Sequence, residues 1–381
     1  MWIMRILIQN RYNRRRCIAK DAVFLYLFLF IMVCAKGFGL DSGDKIYYVL
    51  AVIAIPFWIA HMISMRWEQS SLLFSIILFC IAMGVTVAVR RSGIILSIMA
   101  IIAVKDVDKE KVLDMVLHWW FFCITIMLLC VFLGVIEDKI VAENGKVWHG
   151  MGYSTGNIFH ATVGILIILY MYKRKSRITG LEVFIFLIIN YVVYLGSASR
   201  SGFIIGVFAL FSGYGLKLIK ESANIRRWVR VGLCAGMLLI IISSFILPLL
   251  YNGDWGSNSL PSVLNRALTG RIQHARTVLA SDPVKLWGNS ENLSAFIDNA
   301  YVFLAMKYGI MITVTIGMLY IVAVKNMLKR DDDYGIYLVF MFTLYGFTEQ
   351  FFVNSFMNYS LIIVGNDVYK ELSNNPKSEC S

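Results

Sequence analysis

The chain has 381 residues, 59% of them hydrophobic and only 16% charged, with a mean hydropathy of +0.69. Soluble domains carry about a quarter charged residues and at most half apolar ones, so an ordinary cytosolic or secreted globular protein is excluded. The net charge of +12, from 36 basic and 24 acidic residues, is a topology signal in such a chain before it is a binding signal.

Roughly 20 apolar residues cross a bilayer, and the uncharged runs predict about 12 transmembrane helices in one domain, residues 1–381. The start, with Arg5, Arg11, Arg14, Arg15, Arg16 and Lys20, precedes the first apolar run, which no small-residue cleavage site follows; this predicts a retained first helix. In chain order the expected spans run from Ala22 to Leu40, Ile46 to Met65, Ser71 to Val89, Ser92 to Val104, Met115 to Ile136 and Ile158 to Tyr172. Leu181 to Ala198, Gly202 to Leu216, Val231 to Tyr251, Ala300 to Val324, Tyr334 to Phe347 and Phe351 to Gly365 follow. The last two also read as one span plus a re-entrant piece, because Glu349 and Asn354 interrupt them. The cysteines lie mostly inside apolar runs without CxxC spacing, a pattern of neither a disulfide framework nor a metal site. The expected fold is therefore an all-α polytopic integral membrane protein.

With the basic N-terminus in the cytoplasm, twelve crossings return the C-terminus there, and two-thirds of the Lys and Arg residues fall in inner segments. Six arginines break the rule by lying on the outer side: Arg90, Arg91, Arg200, Arg266, Arg271 and Arg276. The two long loops are also outer, residues 137–157 and 252–299. Long loops in compact proteins commonly carry function.

Three segments hold residues that can do chemistry. Gly196-Ser197-Ala198-Ser199-Arg200-Ser201-Gly202 joins two apolar helices by small residues that admit a ligand, with an arginine whose planar fork suits phosphate oxygens. The segment from Pro261 to Leu279 reads as an outer amphipathic helix, capped by Ser262 and stopped at Asp282-Pro283, with Arg271 and His274 on one face and Arg276 pointing elsewhere. Asp298-Asn299-Ala300-Tyr301 opens an apolar helix; an Asp and an Asn there are ordinary caps, or Asp298 faces the outer cavity as a base. Glu291 and Tyr301, with His149 beside Trp148 in the first long loop, are candidates for lining a sugar site.

The twelve-span plan, the turn Ser199-Arg200-Ser201-Gly202, the loop motif Leu268-Thr269-Gly270-Arg271 and the downstream Asp298-Asn299-Ala300-Tyr301 resemble bacterial O-antigen polymerases and ligases, the oligosaccharide repeat-unit polymerase and ligase superfamily. The likeness of plan covers nearly the whole chain; that of motifs covers Gly196 to Gly309. The resemblance implies metal-independent glycosyl transfer, without cofactor, on the outer face of the bacterial plasma membrane. Donor and acceptor would both be oligosaccharides linked to undecaprenyl diphosphate. Membrane lipids, a chain-length regulator and a flippase are the further partners implied, and no nucleic acid.

By that likeness Arg200 and Arg271 hold the diphosphate, with Arg266 and Arg276 as further candidates. Ligases of the superfamily carry a functional histidine shortly before a late helix; the stretch around Asp298 has none, which favours a polymerase. The base stays open between His274, which has the suitable ordinary pKa, and Asp298. A ligase-type lipid-glycan transferase is the second reading. A flippase or transporter is the third, and it calls for ionisable residues at mid-membrane, for which Lys307, Asp114 and His118 are the only deep candidates.

Overall fold

The computed structural model describes residues 23–41, 43–143 and 146–373; the basic stretch 1–20, Ala22, Ser42 and the end of the chain lie outside the described residues. It is a helical membrane protein in which eight helices are long and apolar enough to cross a bilayer: α2 (Lys45–Ser64), α3 (Gln69–Val89), α5 (Lys109–Phe132), α6 (Gly156–Arg174, extended to Arg177 by a 3-10 turn), α7 (Gly180–Ser197), α8 (Arg200–Leu218), α9 (Ala223–Leu250) and α13 (Ile310–Lys329). Four further helices are shorter: α1 (Val23–Gly37), α4 (Gly93–Ala103) and α14 (Asp333–Gly346) lie at expected spans, and α15 (Ser360–Ser373) overlaps only the end of the last one.

Their shortness has a physical setting. Nine of the eleven residues of α4 are buried, as are nearly all of α14 and the first ten residues of α15. These pieces, with the largely buried α6, make the interior. Around them α2, α7 and α9 turn apolar side chains outward, for example Val52, Ile63, Leu195 and Leu239. A soluble protein rarely exposes so large an apolar surface; a bilayer covers it.

Two expected spans are changed. Ala300 to Val324 is not continuous: α12 (Ala300–Phe303) and a π turn (Leu304–Tyr308) end at Gly309, whose φ of 89° breaks the helix before α13. A Cβ at Gly309 would fall 2.4 Å from the Gly288 nitrogen, so only glycine lets residues 285–288 close on this turn. The run from Phe351 to Gly365 is a 3-10 turn (Gln350–Val353), an irregular stretch and then α15. Non-helical backbone at membrane depth persists only where protein satisfies it. Here the Ser355 amide and hydroxyl donate to the Ser97 hydroxyl and carbonyl (3.2 and 3.0 Å), while Asn358 donates to the Tyr320 hydroxyl (3.0 Å) and to the Phe352 carbonyl.

The two ends of the bundle differ in chemistry. At one end, ion pairs tie helix starts to the α13–α14 turn and to α15: Lys109 with Asp332 (2.9 Å) and Asp367 (3.3 Å), Arg330 with Asp367 (3.1 Å), and Arg226 with Asp333 (3.0 Å). The opposite end, called here the loop end, carries both long loops. Residues 137–157 include an antiparallel hairpin, β1 (Ile140–Glu143) with β2 (Lys146–His149), which packs at α7. Residues 252–299 hold two helices, α10 (Leu260–Ala267) and α11 (Arg271–Ser281), instead of one from Ser262. Thr269 and Gly270, both at positive φ, break it, and the N-cap position is Ser259. The expected stop at Asp282 is the C-cap of α11.

Candidate functional site

The centre of the loop end is Arg271, the first residue of α11. That helix buries Arg271, Ile272, Ala275 and Val278, a stripe at helical spacing that lies on α9 and on a small apolar cluster with Ile297, Val302 and Met306. This stripe carries the Arg271 guanidinium inward. Its Nε donates to Asp298 Oδ2 (2.9 Å), Nη1 to the Ser201 hydroxyl (3.2 Å) and Nη2 to Glu349 Oε1 (3.2 Å). Residues from four separate segments thus meet at one cation. Three of its five N–H groups are used, leaving two for a ligand.

The carboxylates are held in place from both sides. Asn299, and not Asp298, caps α12 by accepting from the Tyr301 and Val302 amides (3.0 and 3.2 Å), which leaves the Asp298 side chain for Arg271. Gln350 donates to the Ile297 carbonyl and so ties the Asp298 strand of chain to the turn carrying Glu349. Glu349 lies beyond the last residue of α14, its amide bonded to the Tyr345 carbonyl (2.8 Å). Burial pushes the Glu349 carboxyl up to about 7; the Arg271 charge opposes that rise and the Asp298 charge adds to it. The cavity under Arg271, lined among others by Ser243, Ser244, Asn299 and Phe347, is about 10 Å³. That volume suits one water molecule, so a sugar has to approach over the more open Asp298 side.

The small-residue turn sits against this cluster through Ser201. Ala198 takes a left-handed conformation (φ 52°) to end α7, and the Ser199 hydroxyl caps α8 by accepting from the Gly202 amide (3.4 Å). Arg200 is exposed and has no side-chain partner among the described residues. Gly202 is small for a packing reason: a Cβ there would be 2.7 Å from the His160 ring. That ring is buried between the Ser197 hydroxyl (Nδ1, 3.0 Å) and the Asn190 side-chain oxygen (Nε2, 2.9 Å). His160 therefore holds the turn from below.

No known protein family, curated protein or solved structure matches the chain. The site therefore stands on its own geometry.

That geometry sorts the residues singled out from the sequence. Arg271, Asp298 and the Arg200–Ser201 step are brought together. His274 does not share the Arg271 environment: it is exposed, because the apolar stripe of α11 turns it to the other side, and its ring makes no hydrogen bond among the described residues. Arg266 donates to the Trp255 and Ser257 carbonyls (2.9 Å to the latter), and Arg276 stacks its guanidinium over Tyr251 at 5.9 Å. Both pin the loop. Tyr301 is buried, donating to the Thr343 carbonyl (2.7 Å) beside Phe352, so it faces the core and not a glycan. Glu291 is exposed, and its carbonyl accepts from Lys307 (2.7 Å). His149 pairs with Asp138 (2.6 Å) on the hairpin at the same end.

Two residues escaped the sequence reading. Glu349 appears in it only as an interruption between apolar runs, although a lone carboxylate at a membrane-helix end is itself a functional signal. His160 sits in an apolar span with nothing in its spacing to mark it. For Arg266 the expected outcome of alanine substitution is a lower unfolding temperature, from losing charge-assisted bonds of about 1.5–3 kcal/mol in all. Thermal unfolding in detergent checks this.

Proposed function

We propose that the protein is a polymerase that joins undecaprenyl-diphosphate-linked oligosaccharide repeat units at the loop end of the bundle. By the positive-inside rule the basic end faces the cytoplasm, as do both termini, and the loop end is the outer face of the bacterial plasma membrane. The observation that carries the reading is the contact of Arg271 with Asp298, Ser201 and Glu349. It joins the two arginine motifs, 70 residues apart, into one site with two carboxylates and a free arginine.

The chemistry divides among these groups. An acceptor sugar hydroxyl attacks the anomeric carbon of the donor, and its proton passes to the Glu349 or Asp298 carboxylate. The anomeric C–O bond to the diphosphate breaks, and undecaprenyl diphosphate leaves with the electron pair. Arg200, exposed at the first turn of α8, meets the negative charge of the departing group, where the helix N-terminus also favours an anion. Arg271 positions the two carboxylates and keeps two N–H groups for the diphosphate. Its role is thus mainly to hold the base, with diphosphate contact second.

A transporter finds less support. Lys307 is spent on the Ser290 and Glu291 carbonyls, Asp114 pairs with Lys173, and His118 is exposed. None offers a free ionisable group at mid-membrane.

Arg200→Ala is expected to leave stability unchanged, since the side chain is exposed and unpaired, and to slow transfer roughly a hundredfold to a thousandfold, the cost of removing one donor to developing charge. The test is the size distribution of surface polysaccharide in cells lacking the gene and complemented with wild type or this variant at matched expression. Single repeat units with the variant and long chains with wild type support polymerisation. Long lipid-linked polymer left unattached in the deletion strain would make the protein a ligase, and repeat units trapped on the cytoplasmic side would make it a flippase.

A further inference from the structure

A groove of about 330 Å³ opens between α2, α3 and α4, with a mostly apolar lining that includes Val52, Ile55, Trp58, Phe79, Ile95 and Met99. Its size falls in the range of small-molecule sites, about 300–1,000 Å³. Val52 and Ile59 on its wall are exposed, so the groove faces the bilayer. Trp58 and Phe79 stack at 5.9 Å to form part of it, and the Trp58 indole nitrogen is satisfied by the Met99 carbonyl (2.9 Å), which fixes this part of the wall.

The loop end of this groove has a different character. Ser92, which lines it, has a buried hydroxyl without a hydrogen-bond partner among the described residues. Immediately before Ser92, Arg90 and Arg91 form the tight turn between α3 and α4, with Arg90 in a left-handed conformation (φ 59°). Both arginines are exposed and neither has an acidic partner among the described residues. Arg91 lies close enough to Lys307 and Tyr308 to act on them electrostatically, while Lys307 itself is buried and bonded to the Ser290 and Glu291 carbonyls. The nearby acids of the α1–α2 loop are engaged elsewhere, Asp41 with Lys36 (2.7 Å) and Asp44 with the Asp41 amide (2.7 Å). An apolar groove in the membrane headed by unpaired cations complements one class of molecule.

We propose that this groove binds an anionic phospholipid, with an acyl chain between α2 and α4 and the headgroup phosphate at Arg90, Arg91 and the Ser92 hydroxyl. This site explains two of the outer arginines that the transfer chemistry leaves unused, and it does not rest on that chemistry. Arginine near a membrane surface contributes about 1 kcal/mol to binding an anionic lipid, so each of the two accounts for about fivefold and the pair for roughly thirtyfold.

The test uses the full-length protein in nanodiscs of phosphatidylglycerol and phosphatidylcholine, released for native mass spectrometry to count retained lipids. Wild type is expected to retain phosphatidylglycerol in preference. Arg90→Gln/Arg91→Gln is expected to lose that preference by roughly thirtyfold, and Val52→Trp, which fills the groove from its exposed wall, to lose the retained lipid of either kind. An unchanged lipid ratio in the double variant would overturn the proposal, leaving the arginines as markers of the membrane boundary. Full retention in Val52→Trp would overturn it as well, because the chain would then lie elsewhere.

Discussion

Replacing Arg271 by alanine is expected to abolish long polysaccharide chains and also to lower the unfolding temperature of the purified protein. The guanidinium is the common partner of Asp298, Glu349 and Ser201 and is itself buried. Removing one member of a buried ion cluster leaves uncompensated charge, at a cost of about 3–5 kcal/mol. Arg271→Lys keeps the charge but not the planar fork, so it cannot serve three directions at once; intermediate stability and little activity are expected. The triple variant Arg271→Met, Asp298→Asn, Glu349→Gln separates the two consequences. With every charge gone the fold recovers, because replacing a whole buried ion cluster by neutral groups is often nearly neutral. Activity does not. Thermal unfolding in detergent and polysaccharide sizing read the two arms. A stable Arg271→Ala protein would contradict the buried cluster, and a stable variant that still made long chains would move the active site elsewhere.

Composition and uncharged runs carry the membrane class and the approximate place of each helix, because the bilayer demands long apolar segments whatever their packing. They do not carry helix length where the interior is protein. The sequence of α4 is as apolar as that of a lipid-facing helix, yet nine of its eleven residues are buried in protein, and its Ser97 meets Ser355, 258 residues away in the chain. The split of the long loop was legible in principle, since Thr269-Gly270 spells a break inside a helical pattern, and the Asn144-Gly145 pair is a hairpin signal. Arg271 and Asp298 stood out as charged residues where the topology disfavours or does not need them. Their pairing was not legible. Glu349 was hidden because a single acid between two apolar runs reads as a loop until the fold sets it against an arginine 78 residues earlier.

The pH behaviour of Glu349 gives the second large effect. Its folded-state pKa, raised from 4.5 to about 7 by burial first and by Asp298 second, means that the folded protein holds this proton more tightly than the unfolded chain. The stability it confers is therefore complete below about pH 4.5 and is lost as pH rises through about 7, at about 1.4 kcal/mol per pH unit between those values. Glu349→Gln cannot ionise. The difference in unfolding free energy between wild type and Glu349→Gln is expected to slope in this window and to be flat above it. Catalysis runs the opposite way if Glu349 takes the acceptor proton, since only the ionised form is a base: the transfer rate of wild type rises about tenfold per pH unit up to about 7 and then levels. Asp298→Asn removes a charge that raises the Glu349 pKa, so the surviving activity of this variant is expected to reach its plateau at lower pH. A rate profile whose midpoint does not move in Asp298→Asn would assign the base to a group other than Glu349, and a wild-type profile flat from pH 5 to 8 would remove Glu349 from the proton transfer.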